Sequence, residues 1–492
     1  MTTALSGEKK PVAGSVPADS VAVPLCVDLD DALVRTSVST ESFFAVLAKR
    51  RLGSLLMPGR ASLTTRLAEI ADLDPALLPY NAVLVAYLHE QKAKGRRLVL
   101  VSSADSRFAH AVAQHLGIFD EVIASDGTRN LVGKAKAEAL VARFGSKGFA
   151  YAGRHRRDLP VWRAAHSSVL VNPSGSLRGA AAEAAAVEAE LRDRSSLLRA
   201  AVKAMRPHQW IKNVLVFVPI VTAHAIDDLS AWISGIGLFA AFCATASAIY
   251  IVNDLVDLSA DRQHPRKRER PMASGRLPLM AGAGLAALLL ALGCALSAYL
   301  GTLAVVLVYA ALSTCYSLVF KEFPLVDVFL LAALYTIRVV GGGVATGHPV
   351  TLWLLAFSGF LFLSLALVKR VQELMMVARI SGDRAAARRG YHPGDVVILQ
   401  SFGCASAFAS SVVLALFVAS AAASAQYGSP ELLWGTVPLI LFWQCRLWLA
   451  TARGYMLDDP IVYAVRDWVS WVTAACVLVL LLMAAYGSFS LS

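Results

Sequence analysis

Asn253-Asp254-Leu255-Val256-Asp257-Leu258-Ser259-Ala260-Asp261-Arg262 closes an apolar run long enough to be a membrane helix. Its acids fall at i, i+3 and i+7, a spacing that puts three carboxylates on one helical face. Carboxylates clustered without a counter-charge repel one another. A hard divalent cation relieves that cost, and Mg²⁺ prefers a few carboxylates completed by substrate phosphate oxygens. The plain alternative is a solvated helix end beside basic residues. Acids at the end of a membrane helix are more often functional than decorative.

The loop that follows is densely cationic: His264-Pro265-Arg266-Lys267-Arg268-Glu269-Arg270-Pro271, then Ser274-Gly275-Arg276. Part of it is a positive-inside anchor. Directly after an acidic metal face it also suits a phosphorylated substrate, because Arg and Lys bind the phosphate oxygens a metal leaves unpaired.

The rest of the chain fits a membrane setting. Of its 492 residues 57% are hydrophobic and 16% charged, where a soluble chain carries about a quarter charged. Mean hydropathy is +0.57. The net charge of +11 reads as membrane topology and surface contact rather than a nucleic-acid groove. The seven cysteines are scattered, with no Cys-x-x-Cys, and read as packing residues. Nine apolar spans are expected, near 213–227, 231–254, 279–299, 301–320, 324–346, 350–371, 397–424, 431–450 and 468–487, the first interrupted by Pro219. Lys and Arg crowd alternate connections, and the others, near 224–230, 300, 347–349, 425–430 and 488–492, contain none. The basic side is therefore expected to be cytoplasmic and the C-terminus extracytoplasmic, in a multi-pass inner (plasma) membrane protein.

Residues 1–20 lack the apolar core of a secretory signal and read as a disordered tail. Beyond them the chain alternates strands and helices, with strands expected at Val21–Asp28, Arg97–Ser102, Glu121–Ala124, Phe149–Ala152 and Ser168–Val171. That order implies a doubly wound α/β domain over 21–172 with its site at the strand C-termini. Residues 41–95 read as an inserted helical cap, 173–205 as a linker helix and 206–492 as the all-α transmembrane bundle of nine helices.

The acid run and its basic loop resemble the UbiA superfamily of intramembrane prenyltransferases, and within it the decaprenyl-phosphate phosphoribosyltransferases. Tyr316 through Lys321 followed by Asp327 is similar to the second motif of that branch. Arg338 with Gly341-Gly342-Gly343, Lys369-Arg370 through Glu373, Arg389-Gly390-Tyr391, and Asp458-Asp459-Pro460 resemble its later ones. The resemblance implies a nine-helix bundle, Mg²⁺ as cofactor, and phosphoribosyl diphosphate and a polyprenyl phosphate as substrates. It casts Asp254, Asp257 and Asp261 as metal ligands, with Asp327 joining them in the catalytic set. Asn253, Arg262, His264, Lys267, Arg270, Tyr316, Lys321, Arg338, Lys369, Arg370, Asp458 and Asp459 would bind substrate. Asp327 stands alone, with Leu331 where prenyltransferases that use aromatic acceptors carry a second acid. Arg338, mid-span, is expected to face a cavity or pair with Asp327.

In the N-terminal part the order Asp28-Leu29-Asp30, Ser102, Lys136 and Asp158 resembles the haloacid dehalogenase superfamily of phosphatases. Ala32 replaces that family's Thr, and Gly153-Arg154 replaces its metal-binding Gly-Asp. A guanidinium there opposes Mg²⁺ and is expected to pair with Asp28 or Asp158, leaving a weakened or inactive phosphatase. Two other functions fit less of the sequence. One is prenyl transfer to an aromatic acceptor; the other is non-enzymatic lipid binding or transport.

Overall fold

A computed structural model of the chain describes residues 23–48, 70–71, 73–125, 130–193, 196–381, 390–456 and 459–486. It divides into two compact units, Met1–Ala204 with Ile251–Leu285, and Met205–Tyr250 with Ala286–Ser492. The acid motif and its basic loop therefore belong to the N-terminal unit.

That unit is built on six parallel strands, β1 (Leu25–Asp28), β2 (Leu98–Asp105), β3 (Glu121–Ser125), β4 (Ala150–Gly153), β5 (Ser167–Val171) and β6 (Ala186–Leu191), in the order β3-β2-β1-β4-β5-β6. Continuous apolar runs suit strands buried on both faces. Leu25 and Val27 pack to one side with Leu98 and Leu100, and Cys26 packs to the other with Val99, Tyr151 and Trp162. The chain leaves β1 toward β2 on one side and returns to β4 on the other, so a crevice opens where β1 and β4 end. Asp28 ends β1 and Gly153 ends β4.

Two boundaries differ from the sequence reading. The helix Ala82–Ala93 is a crossover helix rather than part of a cap, because Leu84 and Leu88, one turn apart, are fully buried against β1 and β2. The expected linker contains the sixth strand. Glu188 on β6 is buried, accepting from Arg96 (3.1 Å), Tyr87 (2.9 Å) and Ser167 (2.8 Å). Residues 49–69 and 72 of the expected cap lie outside the described residues.

The spans are helical, as expected for an integral membrane protein, but the count of nine is not matched. Among the described residues seven helices are long and apolar enough to cross a bilayer: Leu229–Val256, Leu279–Tyr299, Val326–Thr346, Leu352–Met376, Pro393–Val418, Pro430–Ala452 and Trp468–Tyr486. Leu303–Leu318 is apolar but only 16 residues long. The first expected span is a 3₁₀ stretch, Pro207–Phe217, followed by a short α-helix, Val218–Thr222. Pro219 lies in the first turn of that helix, the one place where its missing N–H is tolerated. Three residues per turn align Asn213 with Val216, and both face the helix Val326–Thr346. A Cβ added to Gly342 on that helix would lie 2.1 Å from the Val216 carbonyl oxygen, so the close approach requires glycine.

Candidate functional site

The helix Leu229–Val256 and the short helix Leu258–Gln263 meet at Asp257, and the i→i−4 bonding runs through the join. Asp257 N donates to Asn253 O and Asp261 N to Asp257 O, both at 2.8 Å. Asp254 and Asp261 thus stay on one side. Both are buried, and both accept from Nη1 of Arg270, at 3.0 Å and 2.6 Å. The expectation of acids without a counter-charge is corrected: Arg270 is that counter-charge. Carboxylates converging on one cation are the donor chemistry of a hard-metal site, so Asp254 and Asp261 could hold a divalent ion. Among the described residues no three His, Cys, Asp or Glu groups converge to hold a metal by themselves.

The basic loop divides. His264 is exposed, and its Nδ1 accepts from the Arg266 and Lys267 backbone N–H groups at 3.2 and 3.4 Å, which makes it a turn cap. Lys267 is exposed. Arg262 donates through Nε to Ala273 O (3.0 Å) and through Nη1 and Nη2 to the two carboxylate oxygens of Glu41 (2.9 and 2.7 Å).

In the second unit Lys212 and Lys369 share Asp459, at 2.7 and 3.5 Å. Lys212 Nζ also lies 5.9 Å from the Tyr335 ring centre, and the Arg338 guanidinium stands at the same distance from that ring. Arg338 does not pair with Asp327. It donates to Asn213 Oδ1 (2.8 Å), the Tyr309 hydroxyl (3.2 Å) and the Leu334 carbonyl, with its guanidinium 4.7 Å from the Tyr309 ring centre. Two lysines thus share one carboxylate, and Lys212 and Arg338 both stand by the Tyr335 ring. Burial opposes the charge of Asp459, but Lys212 and Lys369 outweigh it and hold its carboxyl below the ordinary range. Beside Lys212 runs an apolar groove of about 420 Å³, lined by Leu215, Phe362, Trp443 and Ile461 among others.

Asp327 is fully buried, ion-paired with Arg370 and accepting from the Tyr391 hydroxyl at 2.6 Å. Arg370 also pairs with Glu373, and Tyr316 stands beside it. Arg370 and Tyr391 thus hold the Asp327 carboxylate in place. Lys321 lies in the turn Phe320–Glu322 before that helix; Asp458 and Arg389 lie outside the described residues.

In the crevice of the N-terminal sheet, Asp28 Oδ1 accepts from Lys136 Nζ at 2.7 Å while Oδ2 is buried with no hydrogen-bond partner among the described residues. Burial, then the neighbouring Asp158 and Asp30, push its carboxyl up to about 7 against the opposing pull of Lys136. Asp30 caps the next helix by accepting from Val38 N (2.8 Å) and binds Ser103 Oγ (2.9 Å). Ser102 Oγ accepts from Ala104 N at 2.9 Å. Asp158 accepts from the backbone N–H groups of Arg154 (3.1 Å) and His155 (2.9 Å). The expected pairing of the Arg154 guanidinium with Asp28 or Asp158 is not seen. It donates to Asp31 O at 3.3 Å, and His155 reaches the Asp31 carboxylate at 2.9 Å. Asp31 itself takes a left-handed φ of 60°.

Sequence reasoning missed Lys212, Asn213 and Glu41. For the first two a signal existed, polar side chains opening an apolar run. For Glu41 there was none.

Comparison with known proteins agrees with both halves. Residues 214–458 match the UbiA prenyltransferase family and residues 64–163 match haloacid dehalogenase-like hydrolase. An uncharacterized protein, y4nM, of Sinorhizobium fredii is 36% identical over 94% of this chain and 91% of its own length. The decaprenyl-phosphate phosphoribosyltransferase of Corynebacterium glutamicum is 39% identical over 39% of this chain and 60% of its own. A solved UbiA homolog from Archaeoglobus fulgidus, bound to GPP and Mg²⁺, aligns with 57% of this chain and 99% of that one at 15% identity and a TM-score of 0.45. The chain belongs to the UbiA prenyltransferase family and carries a haloacid dehalogenase-like domain ahead of its membrane helices.

Proposed function

We propose that the chain transfers a 5-phosphoribosyl group from phosphoribosyl diphosphate to a polyprenyl phosphate, releasing diphosphate. The observation that carries this is the pair Lys212 and Lys369 sharing the carboxylate of Asp459, with Arg338 by the same Tyr335 ring as Lys212, beside an apolar groove. A surplus of buried cations suits phosphate groups, and a groove opening from a lysine suits a long apolar chain with an anionic head. The relatives named decaprenyl-phosphate phosphoribosyltransferase support the same substrates.

Asp254, Asp257 and Asp261 would hold Mg²⁺, which when bound neutralises charge developing on the departing diphosphate. Arg270 then leaves its two carboxylates and turns to phosphate oxygens, a bidentate role guanidinium fills well. The bond from ribose C1 to the diphosphate oxygen breaks, and an oxygen of the acceptor phosphate bonds to C1. That oxygen is already anionic at neutral pH, so no general base is needed. The lysines hold it in place, and the protein's contribution is position and charge. The site lies on the cytoplasmic side of the inner membrane and the C-terminus outside. In the N-terminal domain, a buried Asp28 held by Lys136, an Asp158 tied to backbone N–H groups and a basic rim at Arg154 support weak phosphatase activity.

Purified chain with Mg²⁺, labelled phosphoribosyl diphosphate and polyprenyl phosphate should give a labelled lipid. No labelled lipid, together with prenyl transfer from polyprenyl diphosphate to an aromatic acceptor in a parallel assay, would overturn the reading.

A further inference from the structure

We propose that the haloacid dehalogenase-like domain is a positioning element of the transferase site, acting through Glu41 on Arg262. This rests on the assignment of Asp254 and Asp261 as the metal-holding acids. Glu41 and Arg262 form a two-pronged ion pair at 2.9 and 2.7 Å, with side chains only 2% and 7% exposed. Such a fork fixes direction as well as charge. Glu41 is itself fixed. Thr36 Oγ1 donates to it at 2.6 Å, and its helix, Val38–Ala48, is capped by Asp30 at 2.8 Å.

The other end of the pair determines the acid geometry. Arg262 follows Asp261 directly, and its Nε staples the helix Leu258–Gln263 to Ala273 O at 3.0 Å. The staple closes the loop that holds Arg270, the residue bridging Asp254 and Asp261. The same turn is gripped a second time. Arg35 Nη1 donates to Ser274 O at 3.3 Å and is anchored by Asp193, and Gly275, at φ +69°, fits because it lacks a Cβ, which would lie 2.6 Å from the Arg35 Cβ. Residues 35–41 therefore clasp 262–275. Without the Glu41 charge the Arg262 guanidinium is buried and uncompensated. It must move out, and the staple that keeps Asp261 and Arg270 in register goes with it.

Supporting groups of this kind typically alter metal affinity by 10- to 100-fold. The test uses the full chain in nanodiscs with Asp28→Asn, which removes the N-terminal acid as a competitor, and reads binding of Mn²⁺ plus inorganic diphosphate by electron paramagnetic resonance. Glu41→Gln should weaken Mn²⁺ binding on the order of tenfold and lower thermal stability. Glu41→Gln with Arg262→Gln removes both charges, so stability should return while the weak binding persists. Unchanged Mn²⁺ binding in Glu41→Gln, or recovery of binding along with stability in the double variant, would overturn the proposal. So would a parent protein that binds no Mn²⁺. A parent that binds Mn²⁺ tightly but transfers no phosphoribosyl group would overturn the functional reading alone.

Discussion

Lys212 and Asp459, 247 positions apart in the chain, meet at 2.7 Å, and both side chains are 9% exposed. Asp459→Asn leaves two lysines without their shared partner. The expected cost is about 3 kcal/mol of stability, in the range for breaking a buried pair. The acceptor KM should rise while kcat changes less, because the lysines lose their aim. The Asp459 carboxyl is depressed, so its stabilising charge is present above pH of about 4 and fades only as pH falls through its lower folded value. The wild type and variant should therefore differ most at neutral pH and converge in acid, as thermal melts would record.

Asp327 and Arg370 are 0% and 1% exposed at their side chains. Asp327→Asn should destabilise the protein by about 3–5 kcal/mol and lower activity in proportion to the folded fraction. A variant that melts normally but is dead would restore Asp327 to the catalytic set.

Asp28 carries the opposite sign. Its carboxyl is raised to about 7, so the folded state binds the proton more tightly than the unfolded chain does. Its contribution is complete below about pH 4 and is lost as pH rises toward 7. Hydrogen exchange of β1 and β4 in the full chain should show less protection at pH 8 than at pH 5, after correction for intrinsic rates. Asp28→Asn should flatten that difference.

The wild-type chain should hydrolyse phosphomonoesters slowly, and Arg154→Asp should raise Mg²⁺ affinity in the N-terminal crevice by removing an always-charged guanidinium. Calorimetric titration of both proteins checks this. Efficient Mg²⁺-dependent dephosphorylation of a phosphoribosyl lipid by the wild type would mean a fused two-step enzyme.

The sequence made the N-terminal sheet legible because β1 to β5 are apolar runs bounded by acids and glycines. It hid β6, whose Ala-Val-Glu-Ala-Glu-Leu reads as helix until Arg96, 92 residues away, is seen burying Glu188. Spacing was enough to place Asp254 and Asp261 together. It could not show Arg270 between them, nor Asn213 as the partner of Arg338, because both depend on where a distant segment folds. Pro219 marked the first expected span as irregular, and the structure forms it as a 3₁₀ stretch and a short helix.

The central claim is that the acids after the second expected span hold the metal for transfer from a diphosphate. It is tested most directly by assaying Asp254→Asn and Asp257→Asn with Mg²⁺, labelled phosphoribosyl diphosphate and polyprenyl phosphate. Loss of one ligand should remove several kcal/mol of transition-state stabilisation, a rate loss of about a thousandfold, in variants that melt close to wild type. Near-normal labelling of the lipid by both folded variants would contradict the account.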